Sequence, residues 1–219
     1  MDTKKYQAVL FDLDGTLWDS TVQILPAWNR VLERRGTGHV LTLDEIKGYM
    51  GKTIGEIAAI MLPHIPASEG LSVLKECCRE EVITLRETGG ALYPDLWEEL
   101  RKLAADYVLA IVSNCQDGYI QSFLHAHQLS AFFSDYECSG RTGLSKGENI
   151  RLVMDRGRIE SAIYVGDTQG DWDAAKIAGV PFVHAAYGFG RISCLNEKTQ
   201  PLASINAFDQ LRPLLSEMG

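Results

Sequence analysis

Ala8-Val9-Leu10-Phe11-Asp12-Leu13-Asp14-Gly15-Thr16-Leu17-Trp18-Asp19-Ser20 is the stretch whose pattern decides the fold. It opens as an apolar run, which suits a strand covered on both faces. Two carboxylates then follow two residues apart, with Gly15-Thr16 directly behind them. Side chains at i and i+2 of an extended chain point the same way. Asp12 and Asp14 are therefore expected close together, at or just past the strand's C-terminal end. Two like charges so placed repel unless a cation or a shared proton compensates them. Such a pair in an apolar setting points to chemistry.

Beyond this strand the pattern is helical over roughly residues 20–88. Leu25, Trp28 and Leu32 recur at helical spacing, and Gly36 and Gly38 end the run. Thr42-Leu43-Asp44-Glu45 and Thr53-Ile54-Gly55-Glu56 read as two capping boxes. Pro63 and Pro66 break the chain. Ser68 is then placed to cap a long helix whose stripe is Leu71, Leu74, Cys78, Val82 and Leu85. After Gly89-Gly90 the pattern changes. Apolar strand runs at 107–112, 132–138, 162–165 and 181–184 alternate with helices. These helices carry Leu96, Trp97, Leu100 and Leu103; Ile120, Phe123 and Leu124; Ile150, Val153 and Met154, closed by Gly157; residues 171–178, stopped by Gly179; and Phe208, Leu211 and Leu215. Strand alternating with helix predicts βαβ units and a parallel sheet. The expected architecture is an α/β, Rossmann-like, doubly wound core from residues 1–19 and 89–219, with an all-α insert over 20–88.

Composition limits the function. The chain has 219 residues and a formal net charge of -8. This argues against nucleic acid and anionic membranes as partners, since both select basic surfaces. The opening residues lead into a run too short for a signal sequence, and no stretch approaches the ~18 apolar residues of a membrane span. Cys77, Cys78, Cys115, Cys138 and Cys194 form an odd set without a C-x-x-C pair, as expected of reduced thiols in a cytoplasmic protein.

In open α/β sheets, ligands bind beyond the carboxyl ends of the strands. Those ends carry Asp12-x-Asp14-Gly15-Thr16, Ser113-Asn114 and Gly166-Asp167-Thr168-Gln169-Gly170-Asp171, with Lys146 in the loop before a helix. Several carboxylates around an open site suit Mg²⁺, a hard cation that prefers oxygen ligands. Taken alone, each element has a plainer account. Asp14-Gly15 suits a turn, Ser113-Asn114 suits a turn, and Asp171 suits a helix cap.

At these residues, in this order, the chain resembles the haloacid dehalogenase superfamily, in its phosphatase branch. Asp12-Leu13-Asp14-Gly15-Thr16 matches the first family motif, Ser113 the second, Lys146 the third and Gly166-Asp167-x-x-x-Asp171 the fourth. The overall shape is most similar to phosphoglycolate phosphatase and its relatives, and the insert is similar to that family's helical cap. The resemblance implies Asp12 as nucleophile and Asp14 as acid and base. It implies Mg²⁺ held by the Asp12 carboxylate, the Asp14 backbone carbonyl and Asp167, with Asp171 in support. Ser113 and the Asn114 backbone would bind phosphoryl oxygens, and Lys146 would balance charge. Thr16 would orient the Asp14 region on the substrate side. Lys146 is followed by Gly147 where the family commonly has proline, which would loosen the loop, and Arg141 is a nearby rival for the cation.

The expected substrate is a small phosphorylated metabolite, with phosphoglycolate the leading analogy. Rival readings are a sugar phosphomutase on the same scaffold and a catalytically silent binding or regulatory protein. The turn Tyr49-Met50-Gly51-Lys52 is placed to reach over the site. There Lys52 either meets an anionic substrate group or is simply solvated. Gly188-Phe189-Gly190 is expected to be a loop beside the pocket, and Cys115 a small buried filler. A monomer and a homodimer both fit the sequence.

Overall fold

The computed structural model describes residues 5–193 and 200–218. The opening residues 1–4 and Cys194 lie outside the described residues. In chain order the strands are β1 (Ala8–Phe11), β2 (Trp18–Asp19), β3 (Ala91–Leu92), β4 (Val108–Ser113), β5 (Asp135–Cys138), β6 (Ala162–Gly166), β7 (Phe182–Ala185) and β8 (Ala203–Ile205). The helices are α1 (Thr21–Arg34), α2 (Leu43–Tyr49), α3 (Ile54–Met61), α4 (Ala67–Thr88), α5 (Leu96–Ala104), α6 (Tyr119–Ala126), α7 (Ser139–Thr142), α8 (Lys146–Gly157), α9 (Gln169–Ala178) and α10 (Leu211–Glu217).

Six strands pair in parallel in the order β5-β4-β1-β6-β7-β8. Phe11 at the end of β1 lies beside Ile111 of β4 and Val165 of β6. The chain moves outward from β1 through β4 to β5, then crosses back to β6 and moves the other way. The direction therefore reverses between β1 and β6, and a crevice opens at such a point beyond the strand ends. Asp12 and Asp167 lie there because each directly follows its strand.

Burial explains the unbroken apolar run of β1. Ala8, Val9, Leu10 and Phe11 are all fully buried. Val9 and Phe11 join one core with Leu100, Phe123 and Phe208. Ala8 and Leu10 join the other, with Ile150, Val153, Trp172 and Ala175 of α8 and α9. Alternate side chains serve opposite faces, and helices cover both.

Helices α1 to α4 lie between β2 and β3. These two short strands pair antiparallel, Trp18 with Leu92 and Asp19 with Ala91. The chain thus leaves the sheet and returns through one ribbon. Trp18 pins it, with its ring edge-on to Tyr119 at 5.6 Å and to Phe123 at 5.0 Å. Helix α4 is also tied to α6, where the Ser122 hydroxyl donates to the Val82 carbonyl at 3.0 Å. Both expected capping boxes form, at Thr42 with Glu45 and at Thr53 with Glu56.

Several local expectations need correction. β2, β3 and β8 were not anticipated, because two or three residues are too few for periodicity to register. Ser68 does not cap α4. The helix begins one residue earlier, after Pro66, and its start has no side-chain cap. The stop of α8 is Arg158, not Gly157, and Arg158 takes the left-handed conformation at φ 52°. Trp97, expected inward, is 40% exposed and packs at the surface against Phe132.

Gly147 does not loosen a loop. It lies in the first turn of α8, where an added Cβ would stand 2.7 Å from Cβ of Ile177 and 3.0 Å from the Ala174 carbonyl. Its missing side chain lets α8 close on α9 and carries Lys146 to Asp171. Alanine is the better helix former by about 1 kcal/mol. Even so, Gly147→Ala is expected to destabilise the protein by about 1–3 kcal/mol in urea unfolding, because overpacking outweighs propensity at a closed helix contact.

Candidate active site

The site is centred on a buried lysine. Lys146, at the first position of α8, places Nζ 2.8 Å from Oδ1 of Asp12 and 2.5 Å from Oδ1 of Asp171. All three side chains are almost wholly buried. Burial works against the ammonium, but the Asp12 and Asp171 charges outweigh it and hold Lys146 well above the ordinary lysine range. Burial, with the nearby Asp171 charge, pushes the Asp12 carboxyl up against the pull of Lys146. Arg141 is not the cation of the site. Its Nε pairs with Glu137 at 2.8 Å and its guanidinium lies over the Tyr136 ring.

Asp171 has both oxygens engaged. Oδ1 takes Lys146, and Oδ2 accepts from the Thr168 hydroxyl at 2.7 Å, the Thr168 amide at 2.9 Å and the Asp167 amide at 3.2 Å. It therefore caps its helix and orients Lys146 at once. Asp167 is held differently. Its Oδ2 accepts from the amides of Phe189 at 2.8 Å and Gly190 at 2.9 Å. The Gly188-Phe189-Gly190 loop thus does more than flank the pocket. An added Cβ at Gly188 would fall 2.4 Å from Cβ of Asp167, so only glycine lets this backbone approach. Gly15, at φ 79°, is equally constrained, with an added Cβ 2.3 Å from Oδ2 of Asp167.

The donor set fits a hard divalent cation. One oxygen each from Asp12, Asp167 and Asp171 lie within 4.8 Å of one another. Oδ2 of Asp12 and Oδ1 of Asp167 are buried without a hydrogen-bond partner among the described residues, an arrangement that costs free energy unless a ligand completes it. Burial and the Asp171 charge push Asp167 up to about 7, and the two loop amides act the other way. A bound cation would remove that penalty and return both groups to carboxylates. Oxygen-only ligands in this number are the set that Mg²⁺ takes.

Asp14 faces a separate environment. Its Oδ1 accepts from Tyr119 OH at 2.7 Å, Trp18 Nε1 at 2.9 Å and Ser20 Oγ at 3.1 Å. Burial raises it to about 6, and these three donors restrain the rise. Two carboxylates that begin as neighbours in sequence are therefore divided. Asp12 joins a lysine, and Asp14 joins hydroxyl and indole donors. Of those partners, Trp18 and Ser20 belong to the opening stretch but carry no sequence signal of this role. Tyr119 is brought in by α6 and has none either.

Of the remaining candidates, Ser113, Asn114 and Lys52 border one small cavity of about 40 Å³, and Thr16 does not. Ser113 and Asn114 line it from the end of β4, with Asp14 and Tyr119. Tyr49, Lys52 and Glu81 line it from the helical block. The Asn114 side chain is already engaged, donating to the Gly51 carbonyl at 2.9 Å and accepting from Ser139 at 3.0 Å. That bond holds the α2–α3 turn on the strand end, leaving the Asn114 backbone as the part available to a ligand. Lys52 is exposed at the rim. Thr16 is fully buried. Its carbonyl accepts from Tyr187 OH at 2.8 Å, and its hydroxyl has no partner among the described residues. Glu81 was missed in the sequence, since a glutamate on a helix is ordinarily solvated. Cys115 borders the cavity too, and burial pushes its thiol up, away from a reactive thiolate.

The fold and site define an α/β enzyme with a carboxylate cluster and a buried lysine at the switch point of a parallel sheet. Residues 9–185 match the profile of the haloacid dehalogenase-like hydrolases. The chain belongs to this family. It is 27% identical over 220 residues to the phosphoglycolate phosphatase of Aliivibrio fischeri, a match covering 95% of this chain and 96% of that one. It is 29% identical over 188 residues to the phosphoglycolate phosphatase of Xanthomonas campestris, covering 84% of each. A haloacid dehalogenase-like hydrolase of Bacteroides fragilis superposes with a TM-score of 0.80 at 30% identity, over 94% of this chain and 100% of that one.

The electrostatics generate two expectations. Lys146→Met leaves buried carboxylates without their cation, and is expected to cost about 3–5 kcal/mol in denaturant unfolding at neutral pH. The second concerns Glu81, which burial and the Asp14 charge push from 4.5 to about 8, against the Gln116 and Trp28 bonds. The folded protein therefore binds a proton that the unfolded chain has lost, and stability falls as pH rises through that window. Glu81→Gln removes this slope. Its stability relative to wild type is expected to rise between pH 5 and 8, by on the order of a few kcal/mol at about 1.4 per unit, read from melts across that range.

Proposed function

We propose that the protein is a Mg²⁺-dependent phosphatase acting on small phosphomonoesters through an aspartyl-phosphate on Asp12. The observation that carries this reading is the pair of unpartnered oxygens, Oδ2 of Asp12 and Oδ1 of Asp167, beside a lysine that holds the other oxygen of Asp12. Such a site has a nucleophile already oriented, held at Oδ1 by Lys146.

One carboxylate oxygen of Asp12 attacks phosphorus, and the P–O bond to the alcohol breaks. Asp14 protonates the departing alkoxide, then takes a proton from the water that hydrolyses the acyl phosphate. Its position near 6 keeps both forms accessible close to neutrality. Lys146 balances the charge on Asp12 and the phosphoryl group, and Ser113 with the Asn114 amide holds phosphoryl oxygens. Asp12, Asp167 and the Asp14 carbonyl would hold the Mg²⁺, with Asp171 in support. When bound, the ion supplies the positive charge that lets a phosphate dianion approach a carboxylate.

The helical block is the substrate-selecting cap, with the turn at Gly51-Lys52 over the site. Thr16 keeps the Asp14 segment in place. The relatives named phosphoglycolate phosphatase make small phosphorylated metabolites the natural substrate class. Among the described residues no helix is long and apolar enough to cross a membrane. We place the protein in the cytoplasm as a monomer or homodimer, in keeping with its free thiols at Cys77, Cys78, Cys115 and Cys138.

Phosphate release from p-nitrophenyl phosphate is expected to require Mg²⁺ and to vanish with EDTA. Asp12→Asn is expected to reduce it to background. Asp14→Asn is expected to lower it by about 10²–10⁴-fold and to leave phosphoenzyme detectable by acid quench. Equal rates for wild type and Asp12→Asn would refute the mechanism.

A further inference from the structure

Glu81 is a buried carboxyl that the chemistry above does not use. It lies on α4 and is 4% exposed. Gln116 Nε2 donates to its Oε2 at 3.0 Å, and Trp28 Nε1 donates to the same oxygen at 3.3 Å. Oε1 has no partner among the described residues. Glu81 lines the cavity that also holds Asp14 and Ser113. Oε2 satisfies the two donors, Trp28 and Gln116, and this structural role leaves Oε1 unused.

The two donors set how the group presents itself. Both need a lone pair on Oε2, so a proton carried by Glu81 resides on Oε1. Oε1 is a donor when protonated and an acceptor when ionised. A hydroxyl both donates and accepts, so it satisfies Oε1 in either state. A carboxylate only accepts, and it would also enter a cavity already flanked by Asp14 and Glu81. Lys52 is the one cation among the described lining residues, and an exposed lysine offsets little. The cavity is small, which favours a short leaving alcohol.

Resting on the phosphatase reading, we propose that Glu81 is a specificity-determining residue. Its free oxygen binds a hydroxyl of the leaving alcohol and selects short hydroxyalkyl phosphates over their carboxylated analogues.

Three esters of nearly equal size test this: 2-hydroxyethyl phosphate, ethyl phosphate and phosphoglycolate, each compared by kcat/KM. In wild type, hydroxyethyl phosphate is expected to exceed both others by about threefold to tenfold, the worth of one hydrogen bond. Glu81→Leu is expected to erase its advantage over ethyl phosphate. Glu81→Gln is isosteric, keeps its oxygen toward Trp28 and Gln116 and turns its NH2 to the cavity as a donor, and is expected to keep that advantage and to gain on phosphoglycolate. A wild-type ratio of hydroxyethyl to ethyl phosphate near one overturns the inference, as does a preference for phosphoglycolate. If Glu81→Leu does not fold, the wild-type ratios and Glu81→Gln decide. Turnover of p-nitrophenyl phosphate with these ratios unmet overturns the inference alone. No turnover of any ester overturns the phosphatase reading and the inference with it.

Discussion

The bridge from Lys146 to Asp12 and Asp171 is the constraint on which the rest of the structure depends. Two carboxylates at the ends of adjacent strands and a third in the first turn of α9 cannot share a dry crevice without positive charge. The lysine supplies part of it from inside the fold, at 2.8 and 2.5 Å. Reaching that place requires α8 to lie close on α9, which Gly147 permits by having no side chain against Ile177 and Ala174. Asp171 then serves two elements together, capping α9 through Thr168 and aligning the lysine. Among the described residues, what remains unpartnered is one oxygen on Asp12 and one on Asp167, at the switch point of the sheet.

The second division of labour concerns Asp14. Its partners Trp18 and Ser20 belong to the segment that leads into the helical block, and Trp18 is a strand residue of the ribbon through which the block is attached. Tyr119, the third partner, starts α6, the helix on which α4 rests. The group with pKa near 6 is therefore tied to the elements that carry the insert, whereas the group bound to lysine is tied to the sheet. A shift of the helical block relative to the sheet would bear on Asp14 first. The cavity repeats this arrangement, with one wall from the strand ends and the other from the insert.

Much of this was legible in the residues themselves. The solid apolar run at 8–11, the alternation of strand and helix after 89, and the spacing of Asp12, Ser113, Lys146, Asp167 and Asp171 rest on local pattern and order along the chain. Parallel βαβ topology brings strand ends to one edge, so residues that follow strands meet without any further information. Where local rules failed, a competing tertiary effect won. Trp97 lies outside because Phe132 offers it a surface partner. Gly147 tightens a helix contact instead of loosening a loop. The start of α4 is the exception, set locally by Pro66 and not by Ser68.

By itself, the sequence determined the parallel sheet with its helices and the roster of acidic and basic groups that follow the strands, because periodicity and order are properties of the chain alone. Only the tertiary structure decided which charges touch. It chose Lys146 over Arg141, engaged both oxygens of Asp171, and set Phe189 and Gly190 amides on Asp167. It also turned Glu81 from an ordinary helix glutamate into a buried carboxyl opposite Asp14. The physical reason is the same in each case. Burial raises the cost of an unpaired charge, and burial is set by how elements separated along the chain pack together.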